Sequence, residues 1–592
     1  MLLKSLLTTV LVDALQSLQG QLLNEPVDSS WITLERSRDP AHGDFACNIA
    51  LRLAKSARRD PRDLAQAIIA ALRPHPALLK TEVAGAGFIN FFLAKEVALT
   101  ELQRVHTLGA AYGRVPAGQG EKIILEFVSA NPTGPMHVGH GRQAAYGAAL
   151  ANLLEAAGHQ VFREYYINDA GRQMDILAVS VWLRYLELGG ETLVLPQNAY
   201  RADYLLPVAR ALREQRGASL QHAANTVFAG LPEDAPQGDK EVYIDAVIQR
   251  CRELIGTQNF AAILQLSRDA MLSDIRDDLE GFGVRFDAWY SEHALGESGA
   301  IDHAIDKLRT QGSIYEKDGA LWFRATAFGD DEDRVVVREN GVKTYFASDI
   351  AYHLQKRERG FQRLIDVLGA DHHGYVARVR GGLTAMGEPG DSLEVCLIQL
   401  VSLYRGGVKL SMGKREGNFV TLRQLREEVG NDACRLFYLM RSNDQPLDFD
   451  LELATSKTND NPAFYIQYAH ARVASVIKEA AARGLTYDAQ AGSRAAMNEA
   501  GAALGGDTAQ AMISSLARYA EVLAQAAENR APHALAHYLR ELANTLHTYY
   551  NAERLLVDDA PTRNARLWLL LAVQQVIRNG LAILGVTAPE SM

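Results

Sequence analysis

The stretch that decides the fold is EFVSANPTGPMHVGHGRQAAYGAAL, from Glu126 to Leu150. An apolar run, IILEFV, ends in a loop rich in proline and glycine, and an alanine-rich helix follows at once. The next run, HQVFREYYIND, again has the composition of a strand. This strand–loop–helix–strand order predicts a βαβ unit, and therefore an α/β domain built on a parallel sheet.

Two histidines, His137 and His140, stand at the predicted start of that helix. Backbone N–H groups at a helix N-terminus lack intrahelical partners and lie at the positive end of the helix dipole, so they attract phosphate. Imidazoles at i and i+3 share one side of the first turn and can donate hydrogen bonds to phosphate oxygens. Gly139 has no side chain, so a flat ring such as adenine could lie against the backbone. The pattern predicts a nucleotide site.

The histidine pair alone leaves other interpretations open. Histidines at this spacing also suit metal ligation, and Asp371, His372 and His373 could supply further ligands. Incidental histidines on a helix would give the same four letters, HVGH.

A second cationic stretch, VKLSMGKREGNFVTL from Val408 to Leu422, shows no helical or strand periodicity before FVTL. Lys409, Lys414 and Arg415 stand there among serine, glycine and asparagine. Most basic loops are only solvated surface loops. Near the histidine pair, however, this loop could clamp a triphosphate and stabilise the charge on departing pyrophosphate.

Length and composition define the broad class of protein. At 592 residues the chain is expected to form several domains. Its 48% hydrophobic and 22% charged residues are typical of soluble globular proteins, and no apolar run looks long enough to cross a bilayer. The four cysteines are widely scattered without a C-x-x-C pair, which suits a reducing cytoplasm. The net charge of −10 leaves nucleic-acid binding open, because that needs only a local basic path.

Further stretches carry a family resemblance. HVGH and KLSMGKR look like the two signatures of class I aminoacyl-tRNA synthetases. Five stretches resemble the bacterial arginyl-tRNA synthetase family in its order: EFVSANPTGPMHVGH, TYFASDIAYHL, ADHHGYVAR, KREGNFVTLRQL and NDNPAFYIQYAHAR. The resemblance extends from His42 to the terminal APESM. One departure lies in the second signature, where Leu410 replaces the family's methionine and Met412 and Gly413 precede Lys414.

The resemblance implies an α/β fold, namely a class I Rossmann-like catalytic domain between an α+β N-terminal domain and an all-α anticodon-binding domain. We expect four segments: a module for the tRNA elbow over 1–112, the catalytic domain over 120–370 with a helical insertion at about 170–275, the end of that domain with the signature loop over 371–452, and the anticodon-binding domain over 455–592.

The activity implied is that of an arginine–tRNA ligase, which activates L-arginine with ATP and transfers it to tRNA(Arg). The resemblance assigns catalysis to His137, His140, Lys409 and Lys414, leaving open which lysine acts. It assigns ATP binding to His137, Gly139, His140, His372, Lys409, Ser411 and Lys414. Mg²⁺ is implied by ATP chemistry, because the ion bridges phosphates with few protein ligands.

Arginine must be recognised by acids, because guanidinium is planar and permanently charged and a carboxylate can pair with it bidentately. By resemblance, Asp349 is the acid for the guanidinium, with Tyr345 on the same helical face and Glu292 as a second acid. Matching family positions that hold the α-amino group are Glu126, Ser129 and Asn131. An aspartate at the start of a helix could also serve only as its N-cap, and this alternative applies to Asp349.

The resemblance places tRNA contacts in the two terminal domains. Single-stranded bases are read by stacking on aromatic rings and by hydrogen bonds to their edges. The candidates are Asn90 in the N-terminal domain and Gln467, Tyr468, Arg472 and Met592 in the C-terminal domain, whereas Phe88 is expected in the core. Tyrosines such as Tyr468 are more often packing residues.

Two other activities fit parts of the sequence. An enzyme that joins an activated amino acid to a small amine would keep the fold, but it would need no helical C-terminal domain. A catalytically inactive RNA-binding relative would not need the intact His137, His140 and Lys409. The resemblance further implies a cytoplasmic monomer that does not bind a membrane.

Overall fold

The structure of the chain, a computed structural model, describes residues 3–23, 28–37, 39–372, 374–410, 420–498 and 503–592. Its first part is an α+β module in which an antiparallel sheet, ordered β1-β2-β4-β3, packs on helices around a separate core. The elements are α1 (Leu3–Ser17), β1 (Leu34–Arg36), β2 (Phe45–Cys47), α2 (Ile49–Ala57), α3 (Pro61–Ala71), β3 (Leu78–Ala84) and β4 (Phe88–Leu93).

Helix α4 (Lys95–Leu108) leaves this module and joins a different core. Leu102 and Val105 pack among the helices of the C-terminal domain, and the His106 ring stacks on Trp568 with ring centroids 4.7 Å apart. The hydrophobic core of the N-terminal module therefore ends before α4, whereas the predicted module extends to residue 112.

A five-stranded parallel sheet is the centre of the molecule, as the βαβ pattern predicts. Its strand order is β12-β11-β5-β6-β7, so the chain first builds outward on one side of β5 and later on the other. The strands and the helices that connect them are β5 (Lys122–Phe127), α5 (Val138–Ala156), β6 (Gln160–Ile167), β7 (Ala288–Ser291), α11 (Glu292–Glu297), α12 (Ala300–Thr310), α13 (Tyr345–Glu358), β11 (Arg363–Gly369), α14 (Tyr375–Ala385) and β12 (Leu393–Ile398).

Between β6 and β7 the chain forms a helical unit with its own core around Trp182 and Ile244. Its helices are α6 (Arg172–Leu188), α7 (Leu206–Arg216), α8 (Ala224–Phe228), α9 (Lys240–Ile255) and α10 (Thr257–Gly281). A small antiparallel sheet of β8 (Ile314–Lys317), β9 (Ala320–Phe323) and β10 (Arg334–Val337) precedes α13.

After β12, a three-stranded sheet ordered β14-β13-β15 leads out of the catalytic region. Two buried arginines tie these parts together by donating to backbone carbonyls: Arg142 to Gln399, Ser442 and Gln445, and Arg435 to Phe282 and Leu584. The elements are β13 (Val401–Arg405), β14 (Val408–Lys409), α15 (Leu422–Val429), α16 (Asn431–Leu439), β15 (Leu447–Asp450) and α17 (Leu451–Thr455).

The C-terminal domain is all helical in its described residues, and its core is continuous with that of the parallel sheet. One of its helices, Ala560–Leu584, is long and apolar enough to cross a membrane, contrary to the expectation from sequence. However, 78% of the apolar 18-residue stretch in this helix is buried inside the protein. Burial of this kind is what a core helix shows. The helices are α18 (Pro462–Ala482), α19 (Ala489–Met497), α20 (Asp507–Ala517), α21 (Tyr519–Glu528), α22 (Pro532–Ala552) and α23 (Ala560–Leu584).

Candidate active site

The C-terminal ends of the parallel strands form one edge, where α/β sheets bind their ligands. The strand order reverses between β5 and β11, which makes the crevice between these two strands the expected ligand position. His137 follows β5 at this edge, and His372 ends the short turn that follows β11. Of His372 only the backbone position is described, and His373 lies outside the described residues, so the DHH metal alternative stays a prediction.

The two histidines form a reciprocal cap on α5. Nδ1 of His137 accepts a hydrogen bond from the Gly139 N–H at 3.1 Å, and Nδ1 of His140 accepts one from the His137 N–H at 3.3 Å. The rings stack with centroids 3.7 Å apart and 18° between their planes. Because both Nδ1 atoms accept, each neutral ring carries its proton on Nε2, which is the donor that a phosphate oxygen requires.

Gly139 has a local reason to be glycine. A Cβ atom at this position would lie 3.0 Å from Cε1 and 3.1 Å from Nδ1 of His137, closer than carbon contacts normally allow. A side chain there would therefore force the His137 ring to shift by a few tenths of an ångström. Position 139 thus needs glycine for two reasons: to leave the His137 ring in place and, as predicted from the sequence, to leave space for a nucleotide ring.

The loop between β5 and the histidines holds two residues in the left-handed region. Val128 has φ 70° and Ser129 has φ 39°, and for a β-branched residue such as valine this conformation is strained. Hydrogen bonds hold the loop: Ser129 Oγ accepts from the Tyr166 N–H at 3.1 Å, and the Ser129 carbonyl accepts from the Asn168 amide at 3.2 Å. Strain of this kind persists only where the surroundings over-determine it.

Asn131 lies at the end of the same loop, and its amide donates to Gln173 at 2.7 Å. Gln173 belongs to α6, so the loop that we assign to the substrate's α-amino group touches the helical insertion. The insertion covers the loop at a second point, where the Tyr204 hydroxyl donates to the Thr133 carbonyl at 2.7 Å.

The end of the second signature lies beside the first signature. Thr421 forms an antiparallel bridge with His137, and the Leu422 N–H donates to the Met136 carbonyl at 2.8 Å. Lys409 lies in β14, where it is exposed. Ser411 and Lys414 lie outside the described residues. The described chain resumes at Val420, so it comes back beside the histidine pair, and the phosphate clamp stays a prediction.

Three acidic side chains act on Tyr166, whose backbone N–H donates to Ser129. Burial and the charges of Glu292, Asp349 and Glu126 raise the pKa of the Tyr166 hydroxyl well above its usual value. Burial raises the pKa of Asp349 to about 7 against the opposing charge of His353, and the negative charges of Glu292 and Glu126 act in the same direction as burial. The pKa of Glu292 is also raised, by burial and by the nearby Asp169. A cation is the ligand that such a cluster favours.

Asp349 lies in the second turn of α13 and does not cap the helix. The N-cap is Thr344, whose hydroxyl accepts a hydrogen bond from the Ala347 N–H at 3.3 Å. The capping alternative for Asp349 is therefore wrong. Tyr345 is the first residue of α13 and is 71% exposed, one helical turn before Asp349, so the two side chains share a face as predicted.

Glu126 is only 6% exposed, and both of its carboxylate oxygens have protein partners. Oε2 accepts from Lys356 Nζ at 2.6 Å and Oε1 accepts from Ser129 Oγ at 3.0 Å. Glu126 therefore holds Ser129 in place, and its direct contact with arginine stays a prediction.

The sequence reasoning missed Lys356, which is completely buried, and its partner Asp366 on β11, 2.9 Å away. A signal was available. Asp349, His353 and Lys356 stand at i, i+4 and i+7 of DIAYHLQK, so three ionisable residues line one helical face.

The comparisons with known proteins agree along the whole chain. The description "Arginyl tRNA synthetase N terminal domain" matches residues 5–93, "tRNA synthetases class I (R), catalytic domain" matches 102–188 and 258–448, and "DALR anticodon binding domain" matches 466–592. An arginine–tRNA ligase of Thioalkalivibrio sulfidiphilus is 55% identical over 563 residues, which are 95% of each chain. One of Legionella pneumophila is 51% identical over 591 residues, covering 100% of both chains.

The chain belongs to the arginyl-tRNA synthetase family. The structure of an arginyl-tRNA synthetase from Thermus thermophilus shares its fold, with a TM-score of 0.74, 23% identity and complete coverage of both chains. The predicted fold class is thereby confirmed, and so is the prediction that the chain is an enzyme of the arginine–tRNA ligase type.

The arginyl-tRNA synthetase catalytic description does not match residues 189–257. In the structure this stretch begins after α6 and ends at the first residue of α10, so it contains α7, α8 and α9. The insertion predicted at about 170–275 encloses it.

Candidate tRNA contacts of this synthetase differ in their exposure. Asn90 is only 3% exposed whereas Phe88 is 41% exposed, the reverse of the expectation. Both lie on the inner strand β4, but Asn90 has a neighbouring strand on each side, whereas Phe88 is paired with β3 alone. This burial counts against Asn90 as an RNA contact. Gln467 is 8% exposed and donates to Asp432 at 2.8 Å and to the Thr587 carbonyl at 3.0 Å, which indicates a structural role.

Arg472 and Tyr468 on α18 form an aromatic cluster with His547 and Tyr550 on α22. The Arg472 guanidinium lies 4.7 Å from the ring centre of Tyr468 and 4.3 Å from that of Tyr550, and it also hydrogen-bonds to His547 at 3.0 Å. Met592, at the C-terminus, is 57% exposed and lines a groove of about 420 Å³ with Phe464. These residues stay candidates for RNA contact.

Proposed function

We propose that the crevice between β5 and β11 activates arginine with ATP and then transfers it to tRNA(Arg). The observation that carries this assignment of the site is that three parts of the chain come together there. They are the His137–His140 cap, the end of the second signature at Thr421, and the acids that act on Tyr166. The first two are chemically suited to phosphate, and the third is suited to a cation.

In the first step, the carboxylate of arginine attacks the α-phosphorus of ATP, and the bond to the bridging oxygen breaks as pyrophosphate leaves. A carboxylate is ionised at neutral pH, so the step needs no general base. What remains is to hold the reactants in line and to stabilise charge on the phosphoryl oxygens. We assign this task to Nε2–H of His137 and His140, to the α5 N-terminus, and to Lys409 and Lys414.

In the second step, a ribose hydroxyl at the 3′ end of tRNA attacks the carbonyl carbon of arginyl-adenylate, and AMP leaves. The aromatic cluster of Tyr468 and Arg472 supports a site for anticodon bases, because single-stranded bases stack on rings and on guanidinium planes. Exposed Phe88 supports a contact by the N-terminal module.

Recognition of arginine is assigned to Asp349 and Glu292, with Tyr345 beside them. Among the described residues neither acid forms an ion pair with arginine or lysine, so both can receive the cationic groups of the substrate. A planar guanidinium can take two parallel hydrogen bonds from Asp349, which the ammonium group of lysine cannot reproduce. We assign the α-amino end of the substrate to Ser129 and Asn131.

Mg²⁺ is proposed to arrive with ATP. Within the described residues no three histidine, cysteine, aspartate or glutamate side chains converge on one point, so that part of the chain provides no metal cage of its own. This fits an ion held mainly by phosphate oxygens and water. We also propose a cytoplasmic monomer. All four cysteines are buried thiols, which suits a reducing compartment, and light scattering of the purified chain tests the monomer.

The decisive experiment is ATP–pyrophosphate exchange with each of the twenty amino acids, with and without tRNA. We expect exchange with arginine only, and only when tRNA is present. Asp349→Asn should abolish arginine-dependent exchange, whereas Asp302→Asn, an exposed acid on α12, should not change it. Exchange with another amino acid, or full activity of Asp349→Asn, would contradict the assignment.

A further inference from the structure

Three buried acids stand side by side in the parallel sheet. Asp366 on β11 is the register partner of Glu126 on β5, and Glu126 is the register partner of Glu164 on β6. Their exposed fractions are 2%, 6% and 0%. Like charges on neighbouring strands repel one another, and burial of a charge without a partner is costly, so this acid row needs cations.

Helix α13 supplies those cations along one ridge. Lys356 Nζ donates to Glu126 at 2.6 Å and to Asp366 at 2.9 Å. Arg359, just after the helix, donates to both oxygens of Glu164 at 2.7 and 3.1 Å. His353, only 1% exposed, lies 2.7 Å from Asp366 through Nε2. We call His353, Lys356 and Arg359 the basic ridge.

The contacts of His353 define its protonation. Nε2 faces a carboxylate oxygen of Asp366, and Nδ1 faces the backbone carbonyl oxygen of Asp349, also at 2.7 Å. Both partners are acceptors, so both ring nitrogens must donate, and only the imidazolium form does so. Burial raises the pKa of Asp366, but Lys356 and His353 outweigh burial and hold it far below its ordinary value, so Asp366 is an acceptor only. The acid row and the basic ridge then balance, three charges against three.

Asp349 lies at the end of this arrangement, one helical turn before His353. The ionisable groups that face it come from every element around it: Glu126 on β5, Tyr166 on β6, Glu292 on α11, His353 on α13, Asp366 on β11 and Tyr375 on α14. In this set His353 is the group that favours the charged form of Asp349. The hydrogen bond from Nδ1 to the Asp349 carbonyl also fixes the turn of α13 that carries the carboxylate.

We propose that protonated His353 is a positioning residue for arginine recognition: it completes the neutralisation of the acid row, so that the charge left in the crevice, on Asp349 and Glu292, matches the guanidinium and ammonium groups of free arginine. This inference rests on the proposed function of the same site. His353 does not touch the substrate; it acts through Asp349.

The test compares His353→Gln with the wild type. Glutamine keeps a donor but cannot carry the charge, so Asp349 should ionise at higher pH. We expect the Michaelis constant for arginine at pH 7 to rise about fivefold, as for a rise of one unit in the pKa of Asp349 from about 7, and to approach the wild-type value at pH 8.5. The Michaelis constant for ATP should stay unchanged. The control is His106→Gln, the same replacement in a stacked histidine on α4.

The outcomes separate the two proposals. The positioning role would be overturned if the ratio of the Michaelis constants for arginine in His353→Gln and the wild type were the same at every pH. It would also be overturned if the Michaelis constants for arginine and ATP changed equally at every pH. In either case, arginine-dependent exchange by the wild type would still uphold the proposed function. A wild type without arginine-dependent exchange would overturn both.

A second measurement needs no variant. In wild-type protein with ¹⁵N-labelled histidine, one imidazolium ring with both N–H protons protected from exchange is expected at pH 7.5. A spectrum in which every protected histidine is neutral would overturn the inference, including when His353→Gln fails to fold.

Discussion

Thr421 pairs with His137 through backbone hydrogen bonds, although the two residues belong to signatures in different halves of the chain. The capping box of α15, in which Thr421 and Gln424 cap each other's backbone, begins at the same residue. The end of the second signature is thus fixed twice, once to the phosphate-binding turn and once to its own helix. Changes at this junction should therefore affect chemistry on ATP more than the binding of arginine.

The first prediction concerns Gly139. Replacement by alanine should displace the His137 ring, because the new Cβ would lie 3.0 Å from it. The rate of arginine-dependent pyrophosphate exchange should fall by about 10²–10³, the usual effect of losing one oriented donor to a developing charge. Gly296→Ala, in the short helix α11 with open space around it, is the control. A Gly139→Ala enzyme with the wild-type rate would show that the stacked geometry is not required.

The second prediction is a pH dependence of arginine binding. Because the pKa of Asp349 is raised to about 7, its carboxyl group is largely neutral at pH 6 and cannot pair with guanidinium. The Michaelis constant for arginine should therefore fall about fivefold between pH 6 and pH 7, reach a total fall of about tenfold by pH 8, and level off above that pH. The constant for ATP, measured in the same exchange assay, serves as the reference. A constant for arginine that is flat over this range would refute the role of Asp349.

The third prediction is that the same carboxylate destabilises the ligand-free protein. A carboxyl group whose pKa is higher in the folded than in the unfolded chain stabilises the fold at low pH, and this contribution disappears as pH rises through about 7. Asp349→Asn should therefore melt about 2–4 °C above the wild type at pH 8, and near it at pH 5. Saturating arginine should raise only the wild-type melting temperature. A lower melting temperature for Asp349→Asn at pH 8 would contradict this.

The fourth prediction concerns the contact between α10 and α15, the helix that follows the second signature. Arg426 pairs with buried Asp278 at 2.9 Å, whereas Arg423 pairs with the more exposed Asp274 at 3.0 Å. Arg426→Met should cost about 3 kcal/mol of unfolding free energy at pH 8, because it leaves a buried charge, whereas Arg423→Met should cost less than about 1 kcal/mol.

The loss in Arg426→Met should be smaller at pH 5. Burial raises the pKa of Asp278 to about 6, so this carboxyl group is neutral there and needs no partner. Denaturant titrations of both variants at the two pH values provide the comparison. Equal losses for Arg423→Met and Arg426→Met would indicate that burial of the pair has no effect.

The fifth prediction separates RNA binding from activation. Arg472→Ala removes a guanidinium that stacks on Tyr468 and Tyr550, so the Michaelis constant for tRNA in aminoacylation should rise about tenfold, the effect of one lost stacking contact. The constants for arginine and ATP should not change. Arg483→Ala, at the exposed end of the same helix, is the matched control. If the two variants behave alike, the aromatic cluster is not an RNA contact.

Local contacts were the part of this molecule that the sequence could predict. The cap formed by His137 and His140 involves neighbours within one helical turn, so spacing alone places the rings together. The parallel sheet follows from the βαβ pattern, and the family signatures name most of the acids at its edge. Asp349 was assigned on such a signature, and the structure places it beside Glu292 and Tyr166.

The register between strands that are far apart in the chain could not be predicted from the sequence. Nothing within LIDVL, ILEF or FREYY shows that Asp366, Glu126 and Glu164 are neighbours, because each register depends on strands far apart in the chain. The prediction of which β4 residues are exposed was wrong for a similar reason. Phe88 and Asn90 are two residues apart, so the sequence places them on one face of the strand, but in the folded protein only Asn90 is covered.

Two of the hydrophobic cores have a consequence for how the protein unfolds. The N-terminal module encloses its own core, whereas α4, the parallel sheet and the C-terminal helices share another. Ion pairs from Lys4 and Arg36 to Glu521, 3.2 and 2.8 Å long, join the two bodies at the surface. Denaturation should thus proceed in two cooperative transitions, with amide protons of β1–β4 exchanging through a partial opening that leaves the larger body intact.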